Sequence, residues 1–177
     1  ILGETDSLAA SFAAATRARV SYYGVAGRRR FDLKLPGEHN QLNAQAAFEA
    51  ASTLGVSFDD AQAAIADFPG LPHRLQLVHE SAGVRYFNDS IATIPEAAIV
   101  ACQAFPSGKV IQIVGGSDKK LDMTAMCAAL GRHAKAVLCI GTLGPTLARM
   151  TREQKPSAIV QECGTLDGAM KRAKELA

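Results

Sequence analysis

Four short stretches carry polar side chains that a packed core would not supply. Phe87-Asn88-Asp89-Ser90-Ile91-Ala92-Thr93-Ile94-Pro95-Glu96 crowds Asn88, Asp89, Ser90 and Thr93 where a strand gives way to a helix. Free backbone N–H groups at such a junction attract anions, and a carboxylate there can accept two ribose hydroxyls. Capping by Ser90 or Thr93, with Glu96 on the helix dipole, accounts for part of the same pattern, but Asp89 exceeds what a cap requires. Val114-Gly115-Gly116-Ser117-Asp118-Lys119-Lys120 follows a buried strand with two glycines, which lets backbone approach a ligand closely, and brings two lysines to the same edge. It lacks the spacing of a Walker A loop and of the dinucleotide fingerprint. Leu71-Pro72-His73-Arg74 sets a planar guanidinium, suited to phosphate, at a candidate domain junction. A surface salt bridge would explain Arg74 as well, and His73 beside proline reads as a packed linker residue. In Pro36-Gly37-Glu38-His39-Asn40-Gln41-Leu42-Asn43, Asn40 and Asn43 share one face at a helix start, where paired donors and acceptors suit the edge of adenine. Helix capping by Asn40 is the competing explanation.

The elements that must position these residues follow from periodicity. Residues 7–18 are alanine-rich with helical spacing behind Ser7 as a cap; Val20–Tyr23 and Arg30–Leu35 read as short strands. Helices are expected at 39–54, stopped by Gly55, and from Ser57 to about Asp67. From Leu71 the pattern changes. His73–Val78 and Val84–Asn88 read as a hairpin, and a helix follows Pro95 to about Phe105. Then strands at 109–114, 136–140 and 158–163 alternate with helices at 122–133, 144–152 and 165–176. Apolar strands with little alternation, separated by helices, predict a parallel sheet covered on both faces. The expected fold class is therefore α/β, a Rossmann-like, mostly parallel, doubly wound sheet with flanking helices and a leading antiparallel hairpin, preceded by an α+β segment. In such sheets ligands bind at the carboxyl ends of the strands, where two of the four stretches fall.

Composition narrows the function. The chain of 177 residues is 48% apolar and 20% charged, enough for a sizeable core. Its net charge of +2 gives no reason to expect a nucleic-acid partner, and Gly27-Arg28-Arg29-Arg30 reads as a solvated turn. Residues 1–70 hold six basic and eight acidic side chains, a net of −2, and residues 71–177 hold thirteen and nine, a net of +4. The change coincides with Phe68-Pro69-Gly70-Leu71-Pro72, a linker signal that divides the chain at about residue 70. No apolar run reaches the roughly 18 residues of a membrane span. Cys102, Cys127, Cys139 and Cys163 match neither a zinc site nor a disulfide framework, so reduced thiols in a cytosolic protein are expected. The chain opens on Ile1 without a secretory leader and is expected to be a piece of a longer protein.

Together the stretches LPGEHNQLNAQAA at 35–47, FPGLPHRLQLV at 68–78, GVRYFNDSIATIPEAA at 83–98 and IVGGSDKKLD at 113–122 resemble the Mur ligase family. The NDS-x-AT-x-PE form resembles its glutamate-adding branch. The resemblance implies the tail of a central ATPase domain (1–70) joined to most of a C-terminal, amino-acid-positioning domain (71–177). It implies an ATP-dependent acid–amino-acid ligase that joins D-glutamate to UDP-N-acetylmuramoyl-L-alanine through an acyl phosphate, in peptidoglycan precursor synthesis in the cytoplasm, acting as a monomer. By the same resemblance Asn40 and Asn43 would face adenine, Arg74 the ATP phosphates and Asp89 the ribose, while Thr93, Lys119 and Ser90 would hold the amino-acid substrate. The phosphate loop, a modified lysine and the Mg2+ ligands would lie outside this chain, which then contributes no catalytic group and no metal ligand. One departure stands out: Ile91 occupies a position where the branch often has lysine, which opens the alternative of a different added amino acid. A non-catalytic nucleotide-binding module of the same fold is a second alternative. A Rossmann-type oxidoreductase with Gly115-Gly116 at its cofactor is a third, disfavoured because AVLCIGTLG carries no acidic residue.

Overall fold

The computed structural model describes residues 1–24 and 29–177, so Gly27 and Arg28 of the expected arginine turn lie outside the described residues. It divides into two compact units, Ile1–Gly70 and Leu71–Ala177.

In the first unit, β1 (Leu2–Gly3) pairs in parallel with β2 (Tyr22–Tyr23), and α1 spans Ser7–Ala15. The cap of α1 is Asp6, one residue before the expected Ser7; its carboxylate accepts from the N–H groups of Leu8 and Ala9. Helices α2 (Glu38–Ser52) and α3 (Phe58–Asp67) follow, and Ser57 caps α3 with Asp59 and Asp60 in its first turn. Phe31, buried, stacks on Phe58 with ring centroids 4.9 Å apart and meets Phe48 edge-on at 5.8 Å.

The alternating stretch Arg30–Leu35 forms no strand. Side chains take the place of a neighbouring strand there. Gln41 accepts from the Phe31 N–H at 3.0 Å and donates to the Phe31 carbonyl at 2.7 Å. Gln62 treats Asp32 the same way, at 2.9 and 3.2 Å. Two glutamines, each a donor and an acceptor, reproduce on two successive residues what a ladder would supply. Periodicity registers the half-buried extended conformation but not the identity of the hydrogen-bond partner.

The second unit opens with the antiparallel hairpin β3 (Gln76–Ser81) and β4 (Val84–Asn88). Its turn, Ala82-Gly83, has φ of 51° and 77°, the two successive positive values of a type I′ turn. The first strand starts three residues later than expected, because His73 (φ 63°) and Leu75 (φ 42°) are left-handed and cannot continue a strand. Helix α4 (Pro95–Gln103) leads to β5 (Ile111–Gly115), α5 (Thr124–His133), β6 (Ala136–Ile140), α6 (Gly144–Glu153), β7 (Ile159–Gly164) and α7 (Leu166–Leu176). The three strands form a parallel sheet in the order β5-β6-β7.

The central strand β6 shows why the pattern reads as parallel. Val137 and Cys139 pack into a cluster with Cys102 of α4, Leu130 of α5 and Leu147 of α6. Ala136 and Leu138, on the opposite face, pack with Ala169 of α7. Both faces are covered, so residues 136–139 are all fully buried and no polar alternation survives. The fold class is α/β as expected, with the hairpin a separate sheet among the described residues.

Burial also governs the thiols, none of which is in a disulfide. It pushes Cys102 up to about 11 and Cys139 up to about 12, from an ordinary 9.0. A raised folded value means stability that is present below pH 9 and lost as pH rises toward 12. Unfolding free energy should therefore fall across that interval, less steeply in Cys139→Ala, as read by urea titration followed by circular dichroism. In the same assay Gln41→Leu, which strands two buried backbone groups of Phe31, should cost about 2 kcal/mol. Gln62→Leu, whose partners are exposed and reach water, should cost under about 0.5 kcal/mol.

Candidate functional site

The carboxyl ends of β5 and β6 come together through glycine. A Cβ on Gly115 (φ 144°) would sit 1.9 Å from the Ile140 carbonyl oxygen, and one on Gly141 (φ 70°) would sit 2.9 Å from Gly116 backbone. With no side chains intervening, the Gly116 N–H donates to the Ile140 carbonyl at 3.1 Å. The Gly116 carbonyl accepts from the Leu143 N–H and from the Thr142 hydroxyl, each at 3.0 Å. From this knot the exposed loop 117–122 leaves the sheet. Asp118 accepts from the Lys120 N–H at 2.7 Å, and Lys120 is left-handed at φ 57°. Asp122 accepts from the Thr124 N–H at 2.9 Å, and the Thr124 hydroxyl and N–H hold its carboxyl below the usual range. Lys119, exposed between these two turns, has no hydrogen bond or ion pair among the described residues.

The end of β4 is organised around a second loop. Asn88 accepts from the Ser90 N–H at 3.0 Å, closing a turn that sets Asp89 beside it. Helix α4 then begins at Ile94 with no side-chain cap, so neither Ser90 nor Thr93 has the capping role that would have explained it. The Thr93 hydroxyl is exposed and has no partner among the described residues. Asp89 is only partly committed: one carboxylate oxygen accepts from the Leu75 N–H at 2.9 Å. Asn88, Asp89, Ser90, Thr93, Ser117 and Lys119 all line one groove of about 1190 Å³.

Arg74 lies outside the lining of that groove, although its neighbour Leu75 belongs to it. Its exposed guanidinium forms no ion pair among the described residues, so the surface-salt-bridge explanation does not hold. His73 is not the packed linker residue expected; it is exposed, and its Nδ1 lies 3.0 Å from Asn88 Nδ2. Left-handed conformations at His73 and Leu75 flank Arg74, each costing a side-chain-bearing residue about 1–2 kcal/mol. Neither Asn88 nor His73 was singled out for this contact by spacing, because the contact spans 15 residues and depends on the hairpin.

Asn40 and Asn43 belong to the first unit. Asn40 does not cap α2, which begins at Gly37 (φ 92°) without a side-chain cap. Its amide instead donates back to the Pro36 carbonyl at 2.7 Å, and Asn43 Nδ2 donates to Asn40 Oδ1 at 3.4 Å. The pair is thus linked on one face, as its spacing predicts. A smaller cavity of about 370 Å³ in this unit, walled by Phe31, Phe48 and Phe58, contains neither asparagine. Among the described residues no three His, Cys, Asp or Glu side chains gather as a cation site.

If Thr93 is free for a ligand and not a cap, its removal should leave stability almost untouched. Thr93→Ala is expected to change unfolding free energy by less than about 0.5 kcal/mol. Thr165→Ala, which deletes a hydroxyl accepting from the Gly168 N–H at 3.1 Å at the start of α7, should cost about 1 kcal/mol. Urea unfolding of the two variants side by side decides the point.

Known proteins resemble this chain over most of its length. Residues 73–177 match the family model described as Mur ligase, glutamate ligase domain. The chain is 43% identical over 139 residues to a UDP-N-acetylmuramoylalanine--D-glutamate ligase of Roseiflexus sp., covering 78% of this chain and 29% of that protein. It is 38% identical over 145 residues to the ligase of the same name from Aquifex aeolicus, covering 82% of this chain and 34% of that protein. The chain thus spans about a third of the length of these curated relatives. Among solved structures, the UDP-N-acetylmuramoylalanyl-D-glutamyl-2,6-diaminopimelate--D-alanyl-D-alanyl ligase of Acinetobacter baumannii shares the fold with a TM-score of 0.71 at 19% identity, over 99% of this chain and 44% of that one. Folylpolyglutamate synthase of Mycobacterium tuberculosis shares it with a TM-score of 0.63 at 22% identity, over 81% and 34%. The strand-end loops with their glycines and uncommitted polar side chains, the match over residues 73–177 and the curated relatives point the same way: the chain belongs to the Mur ligase family.

Proposed function

We propose that the whole protein of which this chain forms part is an ATP-dependent ligase that adds D-glutamate to UDP-N-acetylmuramoyl-L-alanine, in the cytoplasm, for peptidoglycan precursor synthesis. The observation that carries this reading is the long groove that runs beside β4 and β5 and takes in the loops at their carboxyl ends. Along it Thr93 and Lys119 present a hydroxyl donor and a cation without a partner among the described residues, and Asp89 and Ser90 line the same groove. A dicarboxylic amino acid supplies the anions such donors lack. The relatives from Roseiflexus sp. and Aquifex aeolicus both carry the name of the glutamate-adding ligase. Four free thiols accord with a reducing, cytoplasmic setting.

The chemistry divides between the parts. ATP phosphorylates a substrate carboxylate, and the amine of the incoming amino acid attacks the acyl phosphate, releasing phosphate and forming the amide. Residues of this chain bind and orient. Lys119 and Thr93, with Ser90, hold the carboxylates of glutamate so that its amine is presented, a contribution of proximity. Asp89 keeps one carboxylate oxygen for ribose hydroxyls while the other holds Leu75. Arg74 faces the phosphates, and Asn40 and Asn43 present their linked amides to adenine. Mg2+, when bound, would supply charge neutralisation for the phosphoryl transfer; among the described residues no three His, Cys, Asp or Glu side chains gather to hold it. Ile91, exposed in the loop between Asp89 and Thr93, is an apolar residue among the groups assigned to substrate, and it makes amino-acid preference the sharpest point to test.

The test is phosphate release by the full-length enzyme with D-glutamate, L-glutamate, lysine and alanine. D-Glutamate should be preferred, and Lys119→Ala should raise its KM about tenfold or more while leaving the KM for ATP within twofold. Preference for another amino acid would reassign the substrate; a selective effect on ATP would remove Lys119 from the glutamate site.

A further inference from the structure

We propose that Asn88 is a positioning residue for Arg74, acting through His73: the loop ending β4 clamps the turn 73–75 and so fixes where the guanidinium can reach. This rests on the reading that Arg74 meets the ATP phosphates.

The turn is clamped on both sides of Arg74. The carbonyl of His73 accepts from the Ile91 N–H at 3.3 Å, and the N–H of Leu75 donates to Asp89 at 2.9 Å. The His73 ring meets Asn88 at 3.0 Å, and the His73 N–H donates to the Gln76 side chain at 3.0 Å. The Arg74 N–H closes onto the Leu71 carbonyl at 3.2 Å. Leu75 is buried, which anchors the far side of the turn. Residues 88–91 thus supply three of the contacts that keep two non-glycine residues in left-handed conformations. Strained conformations of this kind persist only where their surroundings over-determine them. What all this holds in place is a side chain with no partner of its own among the described residues. A fixed backbone with a free guanidinium is the arrangement that lowers the ordering cost of binding a phosphate.

Within the clamp Asn88 has a distinct part. Its carbonyl oxygen accepts from Ser90 and shapes its own loop, while its amide reaches across the hairpin to the His73 ring. Of the contacts to the turn it is the one between two side chains; truncating Asn88 also frees the Ser90 N–H, which belongs to its own loop and not to the turn. Donation from Asn88 Nδ2 requires the neutral tautomer of His73 that leaves Nδ1 as the acceptor.

Two measurements test the proposal. In the 177-residue chain, Asn88→Ala should raise amide hydrogen exchange at Leu75 and Ile91 at least fivefold while exchange in β6 stays unchanged. In the full-length enzyme, Asn88→Ala should raise the KM for ATP about tenfold, with the KM for the amino acid within twofold. In an Arg74→Ala background, Asn88→Ala should add less than a further twofold, because its effect runs through the absent guanidinium. Unchanged exchange at Leu75 and Ile91 would overturn the clamp whatever the enzyme's substrate. Multiplying effects on KM would overturn the route through Arg74. An Arg74→Ala variant with a normal KM for ATP would overturn the positioning role by removing Arg74 from the phosphates, while leaving the amino-acid panel free to support the ligase reading.

Discussion

The close approach of β5 and β6 at their carboxyl ends is the constraint on which this half of the molecule depends. Parallel strands joined by helices end at the same edge, so every loop that could carry chemistry leaves from one side of the sheet. That edge stays tight only where backbone meets backbone without side chains between. With a Cβ position 1.9 Å from the Ile140 carbonyl, residue 115 admits glycine alone while β5 keeps its register with β6. Register in turn sets where the loop 117–122 begins, and hence where Lys119 emerges. The hydrophobic effect supplies the energy of the two-sided core, but it is indifferent to a shift of an ångström at the edge. The glycine contacts are not.

Physical reasons separate what was legible in the amino-acid order from what was not. The parallel sheet was legible because Val137, Leu138 and Cys139 are buried from both sides, which erases the polar alternation that would have marked an exposed face. The start of α3 was legible because Ser57 acts on a group three residues away. Interactions spanning ten residues or more left no such mark. The extended segment at Phe31 looked like a strand because a strand and a segment held by Gln41 bury the same alternate residues. The hairpin's first strand was placed too early because the apolar pattern ran on through His73 and Leu75, whose left-handed backbone appears only with the clamp that imposes it. For the site, the residue types at the strand ends were legible and their roles were partly so. Thr93 looks like a cap in sequence, yet α4 begins one residue later without one.

Free cations do not by themselves identify a site. Arg149 and Arg172 have helical partners in Glu153 and Glu175, and such exposed pairs add little stability. A lysine or arginine without a partner is equally ordinary on a protein surface, where water satisfies it and its chain samples many rotamers. What sets Lys119 and Arg74 apart is the backbone beneath them. Lys119 sits between an Asp118 turn closed on Lys120 and an Asp122 turn closed on Thr124. Arg74 sits between two left-handed residues tied to a second loop. Each charge stands on backbone shaped by hydrogen bonds on both sides of it.

That distinction explains why Asp89 fits the site better than its count of hydrogen bonds suggests. A carboxylate with both oxygens free would be a flexible, hydrated anion beside an arginine, and the two could simply pair. With one oxygen held by the Leu75 N–H, Asp89 is directed by the same turn that carries Arg74, and among the described residues the two form no ion pair. Arg74 and the residue that Asp89 holds are thus neighbours on one turn, and the two charges are unpaired among the described residues. Under the proposed function, a ligand carrying hydroxyls for one and phosphates for the other would satisfy both at once, with little of the reorganisation that a collapsed salt bridge would demand.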